Sequence, residues 1–205
     1  MALITCPECG NRISEFAESC PGCGCPSRMW AKHAVIPASL KAGDRFQLGA
    51  WGGEPLSWQV LEAEEGEIFA LCENGVDCEP FSENQWRGNL WQTSHLKDWL
   101  ERVFRVGAFT ADEQACIGEV TCLDDGEAKR FLADDASRIC EPSPTATRRG
   151  AYLSESRGSC CWWLRTPGDE DTDALYVDYF GRINPYGCSI TDTGITVCPA
   201  LRLKR

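Results

Sequence analysis

Apolar positions between residues 45 and 72 come in short alternating runs. Phe46 and Leu48 share one face, Trp58 and Val60 a second, and Ile68, Ala70 and Cys72 a third, with Gly- and Glu-rich stretches between them. A period of two interrupted by turn residues predicts a β meander. At Ser94 the period changes. Leu96, Trp99, Leu100, Val103 and Phe104 fall at i, i+3, i+4, i+7 and i+8, the stripe of an amphipathic helix with Ser94 as its N-cap. Thr110 stands three residues before Glu113, a capping box for a second, shorter helix. "FLADDASRIC" (131–140) reads as a short strand running into a helical turn capped by Asp134. "EPSPTATRRGAYLSESRG" (141–158) reads as a long connection rich in Pro, Ser and Thr. The chain then returns to strands in "CWWLRT", "LYVDY", "GRINP" and "ITVCPALRL". Strands, then helices, then strands, with no βα alternation, predict an α+β fold.

The first residues follow a different logic. "CPECGNRISEFAESCPGCG" places Cys6 and Cys9 two residues apart and Cys20 and Cys23 likewise, each pair followed by glycine, Gly10 and Gly24. Two intervening residues let both sulfurs of a pair reach one ion, and glycine permits the left-handed turn that aims amides at them. Four thiolates match a structural Zn²⁺ with bonds of about 2.3 Å and no place for water. Cys25 is read as outside this set. So short a segment cannot bury a core, so metal binding is its folding energy. The expected organisation is a zinc ribbon over 1–25, a linker over 26–40 containing Pro26, Pro37 and one helical turn, and a main domain over 41–205.

Composition narrows the function. The chain has 205 residues, 43% hydrophobic and 25% charged, which fits one soluble globular domain plus an appendage. Net charge is −11; residues 1–40 balance Arg12, Arg28 and Lys32 against Glu8, Glu15 and Glu18, so the whole excess lies beyond residue 40. An acidic body repels phosphate backbones and disfavours nucleic acid as a partner. No apolar run nears the ~20 residues of a membrane span. "MALITCPECG" lacks the basic and apolar regions of a secretion signal, so a cytoplasmic location is expected. The 14 cysteines are then read as thiols and metal ligands rather than disulfides. Only two histidines, His33 and His95, are available, His95 being read as an exposed helix-start residue, and no nucleophile–base–acid set is evident.

The stretch from Cys160 to Asp192 carries the candidate chemistry. Trp162 and Trp163 alternate on a strand, so one enters the core and the other lies near the surface or under a loop, unless both faces are covered. Cys160 and Cys161 read as small buried apolar groups, Arg165 as an ion-pairing or loop-fixing cation, and Thr166-Pro167-Gly168 as a turn. Asp169, Asp171 and Asp173 alternate, but a calcium loop starting at Asp169 meets Ala174 and Phe180 where Gly and Glu are needed. A solvated acidic loop is the expectation. Beyond it, Tyr, Asn, Ser, Thr and Gly dominate, the composition of adaptable contact loops. Trp163, Asp178, Tyr179, Arg182, Asn184, Tyr186, Ser189, Thr191 and Asp192 are the candidate ligand-binding residues. A pair of ordinary polar hairpins is the competing reading.

"LSWQVLE", "WQTSHLKDWLERVF", "AFTADEQACI", "WWLRTPG" and "GITVCPALRL" occur in the order seen in an uncharacterised bacterial family, domain of unknown function 6273, which this chain resembles from about Leu40 to Leu203. The resemblance implies a C-type lectin-like fold akin to formylglycine-generating enzymes and to the variable proteins of diversity-generating retroelements. It implies two helices on antiparallel sheets, paired first and last strands, and a ligand face built from the last loops, with the diversified interval corresponding to Gly168–Thr196. The amino-terminal segment resembles the zinc ribbons that serve bacterial proteins as adaptor or oligomerisation elements. Three departures stand out. Cys198 occupies the place of a family arginine, the calcium-binding tripeptides of sugar-binding lectins are missing, and the oxidase cysteine pair has no clear counterpart among Cys160, Cys161, Cys188 and Cys198. The resemblance therefore implies a non-enzymatic protein that recognises a protein or small molecule, with a copper-dependent cysteine oxidase as the alternative.

Overall fold

In the computed structural model, which describes residues 3–6, 8–14, 17–26, 36–37 and 39–204, the chain divides into two units, Met1–Val35 and Ile36–Arg205. The first contains two strands, β1 (Leu3–Thr5) and β2 (Arg12–Ser14), paired antiparallel. Among the described residues, its buried cluster is Cys6, Ile13, Cys20 and Cys25. Most of the expected linker, with the helical turn read into it, lies outside the described residues, at 27–35 and 38.

The second unit opens with the meander that alternation predicts. Strands β3 (Arg45–Trp51), β4 (Glu54–Glu64) and β5 (Glu67–Cys72) pair antiparallel in order. Two short strands follow, β6 (Asn74–Gly75) and β7 (Asp77–Cys78). Helix α1 (His95–Trp99) runs through a π turn (Leu100–Phe104) into α2 (Arg105–Ala108). Ser94 caps it, its Oγ accepting the Lys97 amide at 3.1 Å. Leu96, Trp99, Leu100 and Phe104 are buried, yet Val103 is 48% exposed. The wide π turn breaks the 3.6-residue phase on which the stripe was drawn. Helix α3 (Ala111–Cys116) starts at the Thr110–Glu113 capping box and ends at β8 (Ile117–Thr121).

The next segment departs from the sequence reading. Phe131 ends a helix, α4 (Asp125–Phe131), rather than starting a strand. Its signal is a second capping box: Asp124 Oδ1 accepts the Glu127 amide at 2.7 Å, and Glu127 Oε2 accepts the Asp124 amide at 3.1 Å. The turn capped by Asp134 does form, with the Ser137 amide donating to Asp134 Oδ1 at 2.8 Å. After β9 (Glu141–Pro142), which pairs with β6, the long connection holds α5 (Pro144–Arg148). Ser143 caps it and Pro144 opens it, where a missing N–H costs nothing.

Strands β10 (Trp162–Pro167), β11 (Asp173–Val177), β12 (Ile183–Ser189), β13 (Thr196–Val197) and β14 (Ala200–Lys204) complete the fold. They build two five-stranded sheets, β3-β4-β5-β14-β8 and β12-β11-β10-β13-β7. The architecture is α+β with short helices. The first and last strands do not pair as expected: β14 lies between β5 and β8, and β3 takes the far edge. The chain changes sheet at Cys198-Pro199, where proline interrupts the donor ladder.

Both tryptophans of the pair are core residues. Trp162, Leu164, Leu175 and Val177 pack with Phe69, Leu71 and Ala200 of the other sheet and with Ala128 and Leu132 at α4. Trp163, on the opposite face of β10, stands 5.8 Å from the Phe81 ring and donates its Nε1–H to the Glu79 carbonyl at 3.0 Å. Arg165 takes the structural role expected of it, reaching Asp124 at 2.6 Å and Glu127 at 2.5 Å. It thereby ties the start of α4 to β10.

Candidate functional site

The sulfurs of Cys6, Cys9, Cys20 and Cys23 lie within 4.8 Å of one another, and among the described residues this quartet alone makes such a donor set. Cys6 Sγ to Cys23 Sγ and Cys9 Sγ to Cys20 Sγ are each 3.6 Å. A tetrahedral ion with bonds of about 2.3 Å would separate its ligands by about 3.8 Å. The knuckles are built as the sequence implies. Gly10 and Gly24 have φ of 74° and 75°, and their amides donate to the Cys6 and Cys20 carbonyls at 2.9 and 2.8 Å. Desolvation opposes ionisation of Cys6, but amide hydrogen bonds from Cys9 and Glu8 and the nearby thiols bring it down to about 6. The amide of Cys25 favours the Cys23 thiolate, yet desolvation and the three neighbouring sulfurs push it up to about 12. Four thiolates at this spacing need a cation between them. The quartet can hold a metal ion.

Apart from Trp163, and from Asn184 and Tyr186 within β12, the candidate ligand-binding residues lie at opposite ends of that strand. Seven residues of strand separate those ends by about 20 Å. At one end, Asp178–Arg182 closes the β11–β12 hairpin. Asp178 Oδ1 accepts the amides of Phe180 and Arg182 at 2.8 and 3.0 Å, so this carboxylate organises the turn. Gly181, at φ 83°, presses on a neighbouring turn: a Cβ there would meet the Asp135 carbonyl oxygen at 1.7 Å. Buried Arg138 donates Nε–H to the Gly181 carbonyl at 2.8 Å. Gly181→Ala is expected to cost about 2 kcal/mol and to speed hydrogen exchange at the Arg182 amide. Unchanged exchange and stability would contradict this docking. Arg157 and Arg182 both stand 5.4 Å from the Phe180 ring, and Tyr179 packs on it at 4.9 Å.

At the other end, four loops are tied together. The Ser82 amide donates to Ile190 O, the Ile190 amide to Thr172 O and the Tyr152 amide to Gly194 O, each at 2.8 Å. Asn89, itself buried, donates Nδ2–H to the carbonyls of Glu170 and Asp173 at 3.0 and 2.9 Å. Ser189 and Thr191 share a hydroxyl contact of 3.0 Å, and Asp192 Oδ1 accepts the Gly194 amide at 2.8 Å. Between the two ends, Asn184 Nδ2 donates to the Tyr176 hydroxyl at 3.0 Å while its Oδ1 accepts the Tyr186 amide. Tyr186 is 72% exposed.

Trp163 does not join this face. It is 0% exposed and sits beneath Phe81, because β10 is covered on both sides. Sequence reasoning also passed over exposed residues on the loops tied together at this end. Trp86 is 97% exposed, and Leu90 and Tyr152 are exposed as well. Asp169, Glu170 and Asp171 are exposed beside Asn89, whereas Asp173 is half-buried in β11. An exposed tryptophan in "QWRGNLW" between strongly patterned segments was the available signal. His95, expected to be exposed, is half-buried between Glu79 and Glu83 at 3.2 and 3.4 Å.

A cleft of about 550 Å³ lies elsewhere, with Cys140, Cys198 and Trp162 in its wall and Arg45, Glu73 and Ser137 among its polar residues. Cys140 Sγ and Cys198 Sγ are 3.0 Å apart. Cys160 bridges backbone with Cys140, its amide donating to Cys140 O at 2.8 Å. The four thiols considered from sequence are not gathered at one point: Cys161 and Cys188 belong with Asp192 on the loop side. Burial pushes Cys161 and Cys188 up to about 12 and Cys198 to about 11. Cys160 is raised by its hydrogen bond with Cys140 and by burial.

Residues 121–205 match the model of a family described as domain of unknown function 6273. The resemblance read from about Leu40 is thus matched over its second part, from the last residue of β8 through both sheets' closing strands. No curated protein and no solved structure matches the chain. Among the described residues, no helix is long and apolar enough to cross a membrane.

Proposed function

We propose that the second unit is a non-enzymatic recognition domain of the C-type lectin-like kind, and that the loops around β12 bind a protein or small-molecule ligand. The observation that carries this reading is that exposed Trp86, Leu90 and Tyr152 and the exposed carboxylates Asp169, Glu170 and Asp171 stand on loops tied together by main-chain hydrogen bonds and by buried Asn89. Aromatic side chains offer area at low entropic cost, and a pre-tied rim avoids the cost of ordering it on binding. In this reading the amino-terminal quartet holds a structural Zn²⁺, and its ribbon serves as an adaptor or oligomerisation element. The Gly168–Thr196 interval is the part that a diversity-generating retroelement would vary.

The test uses the full chain as bait and compares it with Trp86→Ala and Tyr186→Ala. Each exposed side chain can be removed for within about 0.5 kcal/mol of stability. Affinity for a retained partner is expected to fall at least tenfold, about 1.4 kcal/mol, with melting unchanged. Equal affinity across all three proteins would refute the surface around β12 as the contact.

The Cys140–Cys198 pair beside a cleft is the observation that favours the alternative, a copper-dependent cysteine oxidase. Two features weigh against it. Sulfurs 3.0 Å apart are closer than two ligands of one ion with bonds near ~2.3 Å. The hydrogen bond with Cys198 and burial raise Cys140, and burial raises Cys198, whereas a thiol that turns over as a catalyst needs a depressed value.

A further inference from the structure

We propose that Cys140 and Cys198 are a modification site: a dithiol that hydrogen peroxide entering the adjoining cleft converts to a disulfide. The geometry carries this. The sulfurs are 3.0 Å apart, about 1 Å beyond the ~2.05 Å of a disulfide bond, so closure needs only a small side-chain shift. Both residues line the cleft of about 550 Å³, yet they are only 5% and 1% exposed. A small neutral oxidant reaches them more readily than a bulky one. A metal site is the competing reading, and among the described residues no third His, Cys, Asp or Glu donor completes a set with them.

Topology gives the bond a consequence. Cys198 lies in the Cys198-Pro199 step where the chain passes from β13 to β14, that is, from one five-stranded sheet to the other. Cys140 sits just before β9, on the excursion that carries α4 and α5. A bond between them would fasten that excursion to the sheet junction across a separation of 58 residues.

The chemistry balances with peroxide alone. The Cys198 thiol gives up its proton, its sulfur attacks one peroxide oxygen, the O–O bond breaks, and the departing hydroxide takes that proton as water, giving Cys198 sulfenic acid. Cys198 is the attacking group because the Cys140 thiol hydrogen-bonds to it, which offsets part of the burial effect that still raises it to about 11. Cys140 sulfur then attacks Cys198 sulfur, and the hydroxyl departs with the Cys140 proton as a second water. Two thiols are oxidised and one peroxide is reduced. With both thiols raised, closure is slow, as suits a lock rather than a turnover catalyst.

The test treats the full, metal-loaded chain with hydrogen peroxide, then unfolds it, alkylates remaining thiols and maps the peptides by mass spectrometry. The expected result is one peptide pair joined through Cys140 and Cys198 with the loss of two hydrogens, and a Tm raised by roughly 10 °C that dithiothreitol reverses. Cys140→Ala and Cys198→Ala should each abolish the shift. Recovery of both residues in alkylated form, or a Cys140–Cys160 cross-link in their place, would overturn the assignment.

Discussion

Cys20→Ser is expected to abolish tight metal binding and to unfold the first unit, while the second keeps its own melting transition. Among the described residues, the buried cluster of the first unit is little more than Ile13 and cysteine side chains. Its paired strands span three residues each, far below what an isolated hairpin needs. An ion held by the quartet would supply folding free energy, as structural zinc does with about 10–16 kcal/mol in comparable peptides. Removing one thiolate leaves three ligands and an open position, so both affinity and fold should collapse together. Far-ultraviolet circular dichroism and a metal-release titration read the two effects. A variant that retains one equivalent of metal at undiminished affinity would contradict the ligand set.

Trp162→Ala should cost about 3–5 kcal/mol, the range for emptying a fully buried large aromatic site. Trp162 is 1% exposed and belongs to the cluster shared by both sheets and α4. Its Nε1–H also donates to the Arg138 carbonyl at 3.0 Å, fixing the turn on which the β11–β12 hairpin rests. A total stability of about 5–15 kcal/mol leaves little after such a loss, and Tm should fall by roughly 10 °C or more. Trp86→Ala, at an exposed site, should leave Tm unchanged. The contrast between two tryptophans of the same chain separates a packing role from a contact role. A loss under about 1 kcal/mol for Trp162→Ala would show that the cluster is not the core.

The meander, the Ser94 cap, the Thr110 capping box and the cysteine knuckles were legible because each is a local pattern with one physical cause. Helix α4 was missed although Asp124 and Glu127 carry the same capping signal as Thr110 and Glu113; the apolar pair Phe131-Leu132 at its end reads equally well as strand. Val103 was misplaced because a π turn leaves no mark in the period. The burial of Trp163 depended on Phe81 and the Glu79 carbonyl, more than 80 residues away. The same holds for the site. The polar, Tyr-containing segment announced itself by composition, but several of its polar groups, Asp178 and Asn184 among them, hold the loops. The segment that carries Trp86 meets the acidic loop only because Asn89 joins stretches distant in sequence.

Hydroxyl-radical footprinting of the chain alone and bound to a captured partner tests the recognition reading most directly. Protection is expected at Trp86, Tyr152 and Tyr186, with buried Trp58, Trp162 and Trp163 silent in both states. Protection confined to the residues around the Cys140–Cys198 cleft, with Trp86 equally reactive bound and free, would contradict it.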